Sequence, residues 1–297
     1  MGCFTFYLAC PKEPSLEGKT LSDWVVVMRE RPQDEKAHKV IRQLGSNSIP
    51  LLLDWLRKDD KPTFQGRVAQ SKQGMISFLE SHRFIEPRPR SLEMDWKSSY
   101  RSLGNAVLSE LGPEGKAAIP TLIQMLGDKN HKPDEVSQVA GVAWLILPRM
   151  APESIPPLIC ALTNQDTQVW CLAAGALGHI GSDAKAAIPF VKEKLKDKDP
   201  YVRVGAADII GKLGGNPDEF VPTLIGTLPE VEWDYLNYAL EVLVRYKNNA
   251  KPAVPVLLDI LNKTPNSTNT TNTIVRSEVL SALREIDPEA AAKVGVK

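Results

Sequence analysis

Residues that build catalytic and metal centres are scarce in this chain. Four histidines, His38, His82, His131 and His179, and four cysteines, Cys3, Cys10, Cys160 and Cys171, are scattered over 297 residues. The cysteines form no C-x-x-C pair and have no histidine at ligand spacing, which argues against a zinc site. Cys160 and Cys171 fall in apolar stretches and read as small core residues, with a bridge between them left open. His179 stands at a polar helix position equivalent to Lys212 and reads as solvated. No H-E-x-x-H, G-x-S-x-G, Walker A or G-x-G-x-x-G pattern occurs, and glycine is not clustered into a phosphate-cradling loop. A nucleophile, its base and an orienting acid cannot be assembled. No cofactor, metal or catalytic residue is expected. No run of 18 or more apolar residues exists, so no membrane-spanning helix is expected.

Net charge is missing too: 36 basic side chains balance 36 acidic ones. A protein that holds duplex nucleic acid usually carries a basic excess, so nucleic acid is not an expected partner. Residues 1–101 hold 17 basic and 13 acidic side chains, a surplus of four that the rest of the chain cancels. That reads as ordinary surface variation.

The first ten residues, M-G-C-F-T-F-Y-L-A-C, are apolar and uncharged and then turn abruptly polar. Leu8-Ala9-Cys10 resembles the end of a bacterial lipoprotein signal, in which the cysteine is lipidated. The basic leader is missing, the apolar stretch is short, and Tyr7 stands where such signals prefer Leu. Two readings stay open: a lipoprotein remnant anchored at the cell envelope through Cys10, and a plain cytoplasmic N-terminus.

What the chain does have is a period. Pro156, Pro189, Pro222 and Pro255 follow one another at 33 residues; Pro120 precedes them by 36 and Pro50 precedes that by 70. A fixed period of 30 to 40 residues marks a repeat solenoid. Counting from each proline, position −1 is Ile or Val, position +2 is Leu or Val, and position +6 is Leu in all six copies. With +3, apolar in all but Lys192, these positions form one face of a helix, with Pro in its first turn. This is helix B. A helix A precedes it: Gln168–Gly181 aligns without gaps with Tyr201–Gly214. Asp166, Asp199 and Glu232 stand at equivalent starts, where an acidic group caps free N–H groups. Gly181 and Gly214 stand at the ends, where a left-handed residue stops a helix.

The pattern Asp199-Pro200-Tyr201-Val202-Arg203, then Ala206-Ala207, Leu213-Gly214 and Val221-Pro222-x-Leu224, resembles the HEAT-repeat family, including its bacterial HEAT-like members. The resemblance covers roughly residues 34–286. It implies an all-α fold, a right-handed α-solenoid of about six helix-pair repeats. It also implies a ladder between an Asp at the start of helix A and an Arg four residues on. Asp199/Arg203 fits this, Asn272/Arg276 fits in part, and Trp170 and Leu236 replace the Arg in their repeats.

The remainder reads as edges and insertions. Residues 1–15 are a flexible segment, and 16–33 hold a capping helix from Leu21 to Arg31. Residues 34–297 are the solenoid, with insertions at 84–96 and 264–272. Lys36–Leu44 and Ser48–Arg57 form the first pair. Thr63–His82 is expected to be a long helix, and Tyr100–Leu111 a further helix A. Ile274–Ile286 and Pro288–Val294 close the array.

For function, the resemblance implies a non-enzymatic scaffold that holds a protein or peptide along the concave surface lined by the B helices. Positions +1, +4, +5 and +8 lie on the face turned away from the core. The candidate contacts are Asp54, Trp55, Lys58, Gln124, Met125, Phe190, Glu193, Lys194, Asp259 and Ile260, with Trp55 and Phe190 as anchors. Leu51 and Val256 share that stripe. Arg83, Arg88 and Arg90, in a Pro-rich loop, could grip an acidic partner. The chain is expected to be a monomer. The alternative is an enzyme on the same scaffold, of the alkyl-DNA-glycosylase or bilin-lyase type, faintly echoed by Trp55 beside Asp54 and Arg57.

Overall fold

Each of the six period-marking prolines is the second residue of a helix. The computed structural model describes residues 13–57, 100–129, 138–264 and 270–293. The expectations for Cys10, Lys58, the Thr63–His82 helix, Arg83, Arg88, Arg90 and most of the 264–272 insertion lie outside these residues. Pro at the second helical position loses no hydrogen bond, because that N–H has no partner inside the helix. All six prolines are exposed, and all six residues at +2 and at +6 are buried. Each B helix therefore turns one apolar face inward, as its 3.6-residue period requires.

The chain divides into two units, residues 1–154 and 155–297. The first opens on a two-residue hairpin, β1 (Ser15–Leu16) and β2 (Lys19–Thr20), leading into α1 (Leu21–Glu30). Thr20 and Asp23 cap α1 reciprocally, which satisfies two of its free N–H groups. Trp24 is buried, its indole N–H donating to the Leu16 carbonyl at 3.2 Å, and Lys19 lies 4.8 Å from its ring centre. Next come α2 (Glu35–Ser46), capped by Asp34, and α3 (Ile49–Arg57). After them stand α4 (Tyr100–Leu111), which packs on α2 and α3, and α5 (Ile119–Met125) with α6 (Gln138–Ile146).

The second unit stacks helix pairs in sequence order. Its elements are α7 (Ile155–Ala161), α8 (Thr167–Ile180), α9 (Ile188–Lys192), α10 (Pro200–Lys212), α11 (Val221–Thr227) and α12 (Trp233–Val244). They are followed by α13 (Val254–Lys263), α14 (Thr270–Ile286) and α15 (Pro288–Lys293). The A helices α8, α10, α12 and α14 pack in series, and each B helix packs against the A helix that follows it. Ala173, Ala174, Ala206 and Ala207 are fully buried where these helices meet, so backbones approach closely without leaving voids. The fold is all-α apart from the small hairpin, and its helix pairs are solenoid repeats.

Asp166 and Asp199 cap their helices as expected, each accepting from the N–H two residues on. Glu232 does not: it stands at the N-cap of α12 with no capping bond from its side chain. Its extra methylene carries the carboxylate past the N–H groups that the shorter Asp reaches. Gly181 and Gly214 both have φ of 78°, a conformation that costs glycine alone no steric strain.

The expected Asp–Arg ladder takes a different form. Arg203 does not grip the Asp199 side chain. Its guanidinium donates to the Asp197 carbonyl at 2.8 Å and the Lys198 carbonyl at 3.2 Å, just past α9. It then reaches Thr227 Oγ1 at 3.1 Å and Glu230 at 2.7 Å. Arg276 pins the Leu261 and Thr264 carbonyls at 2.7 and 2.8 Å, and Arg101 pins the Leu56 carbonyl at 3.0 Å and meets Gln138. The recurring partner is thus the unsatisfied C-terminal end of the preceding B helix, which a guanidinium both hydrogen-bonds and neutralises.

Candidate functional site

The outward stripe of helix B is narrower than its period suggests. Position +4 is exposed in every copy: Asp54, Gln124, Cys160, Glu193, Gly226 and Asp259. Position +5 is buried in four: Trp55, Met125, Ala161 and Thr227. Trp55 is 1% exposed, so it belongs to the core rather than to a binding surface. The physical cause is α4. A Cβ on Gly104 would meet the Leu52 carbonyl at 3.0 Å and the Trp55 Cβ at 3.4 Å, so α4 lies directly on the Trp55 side of α3. Met125 is buried in the same way, Ile260 is half-buried, and Leu51 at +1 is buried as well. Position +5 faces a neighbouring A helix; Thr227 shows the same relation through its bond to Arg203.

Phe190, unlike Trp55, stays on the surface. It is 43% exposed on α9, beside exposed Glu193 and half-buried Lys194. Lys194 is tied to Asp197 at 2.9 Å, and its ammonium lies 5.7 Å from the buried Trp170 ring. This pairing holds the Asp197 carboxyl below its usual range, with the backbone N–H of Asp199 helping. Lys192, which breaks the apolar pattern at +3, is exposed and pairs with Glu219 at 2.9 Å. At +4 of the repeats before and after stand Cys160 and Gly226, and a Cβ added at Gly226 would meet open space. Asp259 is paired with Lys263 at 2.6 Å. Cys160 and Cys171 are both exposed free thiols, not the core residues expected from their apolar surroundings. Cys160 occupies the outward +4 position, and Cys171 sits in the first half of a helix A.

Residues 155–244 match the model of the family described as HEAT repeats. That segment is a run of HEAT repeats. The match covers α7 to α12, the part of the chain in which the 33-residue period is unbroken. No curated protein matches the sequence. Among solved structures, a mutant Kap121p is similar at 14% identity and a TM-score of 0.49, with 91% of this chain and 32% of that chain covered. Kap121p bound to Ste12p gives 15% identity and 0.47, with 91% and 32% covered. Kap95p with RanGDP gives 13% and 0.45, with 93% and 46% covered. The chain thus spans about a third of the Kap121p chain and under half of the Kap95p chain.

Within the HEAT segment, sequence reasoning missed a polar and aromatic cluster on the A helices. Asp208 is buried on α10 and accepts from Tyr238 at 2.8 Å, Arg245 at 2.6 Å and Lys212 at 2.6 Å. Tyr235 stands edge-on to Tyr201 at 4.7 Å and to Tyr238 at 5.3 Å. Burial, reinforced by nearby acidic groups, pushes Tyr235 up to about 12; Tyr238 is pushed higher by burial and its bond to Asp208. A lone Asp in an otherwise apolar stretch of helix A was the available signal. In the first unit, a shallow polar cleft runs along α2, lined by Glu35, Lys36, His38, Lys39, Arg42 and Glu110. There His38 Nδ1 lies 3.0 Å from Glu110 and Nε2 lies 2.9 Å from the Pro32 carbonyl. Among the described residues, no group of three or more His, Cys, Asp and Glu could hold a metal ion.

Proposed function

We propose that the protein is a non-enzymatic scaffold that holds a protein or peptide along the helix-B surface of its HEAT segment, with Phe190 as the anchor. The observation that carries this reading is Phe190 itself. A large apolar ring stays exposed in the middle of the repeat run, near charged Glu193 in sequence, with small Cys160 and Gly226 exposed on the B helices of the repeats before and after it. An apolar centre with a polar rim is what a protein-binding surface favours. Helical hydrogen bonds, with arginines at the helix ends, occupy the B-helix backbone, so recognition falls to side chains in this stripe. Glu193, Lys194, Asp259 and Ile260 supply its rim and its far end. Asp54 and Gln124 hold the equivalent positions in the first unit. The enzyme alternative drew on Trp55 beside Asp54 and Arg57, and burial of Trp55 takes the aromatic away from that trio.

The test is site-specific photo-crosslinking in the native host, with the reactive amino acid at position 190 and, as control, at position 241 on helix A. A discrete partner should be trapped from 190 and not from 241. Phe190→Ala should then weaken binding of that partner by about tenfold or more, the usual loss for an aromatic anchor. Equal trapping from both positions, or undiminished binding by Phe190→Ala, refutes the proposal.

A further inference from the structure

We infer a second docking surface in residues 155–297, on the A helices, shaped for an amphipathic helix that carries lysine or arginine beside its apolar stripe. Three of the exposed large apolar side chains stand near the starts of three successive A helices: Tyr201 at 36% on α10, Trp233 at 51% on α12 and Ile274 at 41% on α14. Isolated exposed apolar residues are ordinary, but three near the starts of successive packed helices form a patch. Tyr235 joins the first two of these helices. Its ring stands edge-on to Tyr201, and its hydroxyl lies 3.4 Å from the Tyr201 carbonyl, so the starts of α10 and α12 meet there. Trp233 is two residues earlier, about 200° around the helix, on the side away from α10 where α14 packs. Tyr201 and Tyr235 are thus in direct contact, with Trp233 and Ile274 exposed near the starts of α12 and α14.

Two properties choose the occupant. The band consists of helix surface whose backbone is already hydrogen-bonded internally, so an extended peptide would find no backbone partners, whereas a helix brings its own satisfied. Neighbouring packed helices are about 8–10 Å apart, close to the roughly 10.5 Å between residues i and i+7 of a helix laid across them. The border is acidic. Asp199, Glu230 and Glu232 stand beside the band, against the exposed ammonium of Lys198. Glu230 is met by Arg203, whose guanidinium lies largely buried on backbone carbonyls; Glu232 has no cation partner among the described residues. A partner with basic flanks meets that border favourably, and one with acidic flanks is repelled.

This surface is independent of Phe190, and the experiment keeps the two apart. Two fluorescent model helices share one leucine stripe at i, i+3, i+7 and i+10; one has lysine flanks and the other glutamate flanks. Binding to the full chain is read by anisotropy. The lysine helix should bind about tenfold or more tightly than the glutamate helix. Tyr201→Ala with Trp233→Ala should lose about tenfold, with circular dichroism confirming the fold. Glu232→Lys, a surface change that leaves the packing intact, should narrow the preference, and Phe190→Ala should change nothing. Equal binding of the two helices, or binding that survives the double variant, overturns the inference. Loss on Phe190→Ala places the helix on the B surface and overturns it as well. So does a concentration-dependent dimer of the free protein that Trp233→Ala abolishes, because the occupant is then a second copy.

Discussion

The Tyr238 hydroxyl donates to the Asp208 carboxylate at 2.8 Å, linking two successive A helices through a buried acid. The same carboxylate takes Arg245 from beyond the end of α12 and Lys212 from its own helix. A buried carboxylate is stable only when its lone pairs are filled. Asp208→Ala leaves the Tyr238 hydroxyl without its partner while the two half-exposed cations turn to water. We expect a loss of about 2–3 kcal/mol, read by urea unfolding. Asp208→Asn should also lower the Tyr238 ionisation towards its ordinary value of 10, visible as tyrosinate absorbance appearing at lower pH.

His38 predicts a pH-dependent first unit. Both ring nitrogens face acceptors, Pro32 and Glu110, and a neutral imidazole has only one N–H to offer. The Pro32 carbonyl, then Glu110, raise its pKa above the ordinary 6.5, against burial and the nearby Arg42. A raised folded pKa means the stabilisation is complete below 6.5 and is lost as pH rises through the folded value. Lys36, tied to Glu17, and Lys39 also line this cleft on α2, and loss of the His38 charge leaves Arg42 as the ion-pair partner of Glu110 among the described residues. Thermal unfolding should fall from pH 6 to pH 8 in the wild type and flatten in His38→Gln. A proton NMR titration that puts His38 at or below 6.5 would contradict this.

Much of this molecule was legible in its residues, and the exceptions have physical causes. The proline period located the B helices because Pro in the first turn is a local rule that tertiary context does not override. The helices Leu21–Glu30 and Tyr100–Leu111 stood where apolar spacing put them, to within a residue. Periodicity fails on questions that depend on a neighbour. Trp55 and Phe190 both look outward from their own helices, yet α4 covers one and the other stays exposed. Gly104 was the clue, since a glycine inside a helix often marks a close approach. Asp208 and the tyrosines escaped because their partners lie 30 to 37 residues away, in the next repeat.

Trp55 therefore predicts a stability effect rather than a binding one. Trp55→Ala removes a large side chain from under α4 and should cost about 3–5 kcal/mol. Gly104→Ala attacks the same contact from the other side. Its new methyl would meet the Leu52 carbonyl at 3.0 Å and Leu56 at 3.1 Å, and we expect about 1–3 kcal/mol of destabilisation. The Leu52 carbonyl, Leu56 and the Trp55 Cβ that the methyl would meet all remain in Trp55→Ala, so its strain should persist and the two losses should add in a double variant. Unfolding midpoints of the four proteins decide it; a stable Trp55→Ala that has lost only partner binding would return Trp55 to the surface.

Arg203 carries the last prediction. Its guanidinium satisfies two carbonyls beyond α9 and also holds Thr227 and Glu230 beside α11, so one side chain joins both B helices that flank α10. A lysine offers a point charge instead of a fork and cannot serve these directions together. Arg203→Lys should therefore lose most of what Arg203→Met loses, about 2–3 kcal/mol. Arg276 holds two carbonyls on one side, and its replacement by Met should cost less. Hydrogen exchange offers a sharper reading than global stability. In Arg203→Met, amides of both α9 and α11 should lose protection, because repeats transmit order only to their neighbours. Loss confined to α9 would show that the contacts to Thr227 and Glu230 add nothing, and that the arginine caps one helix rather than coupling two.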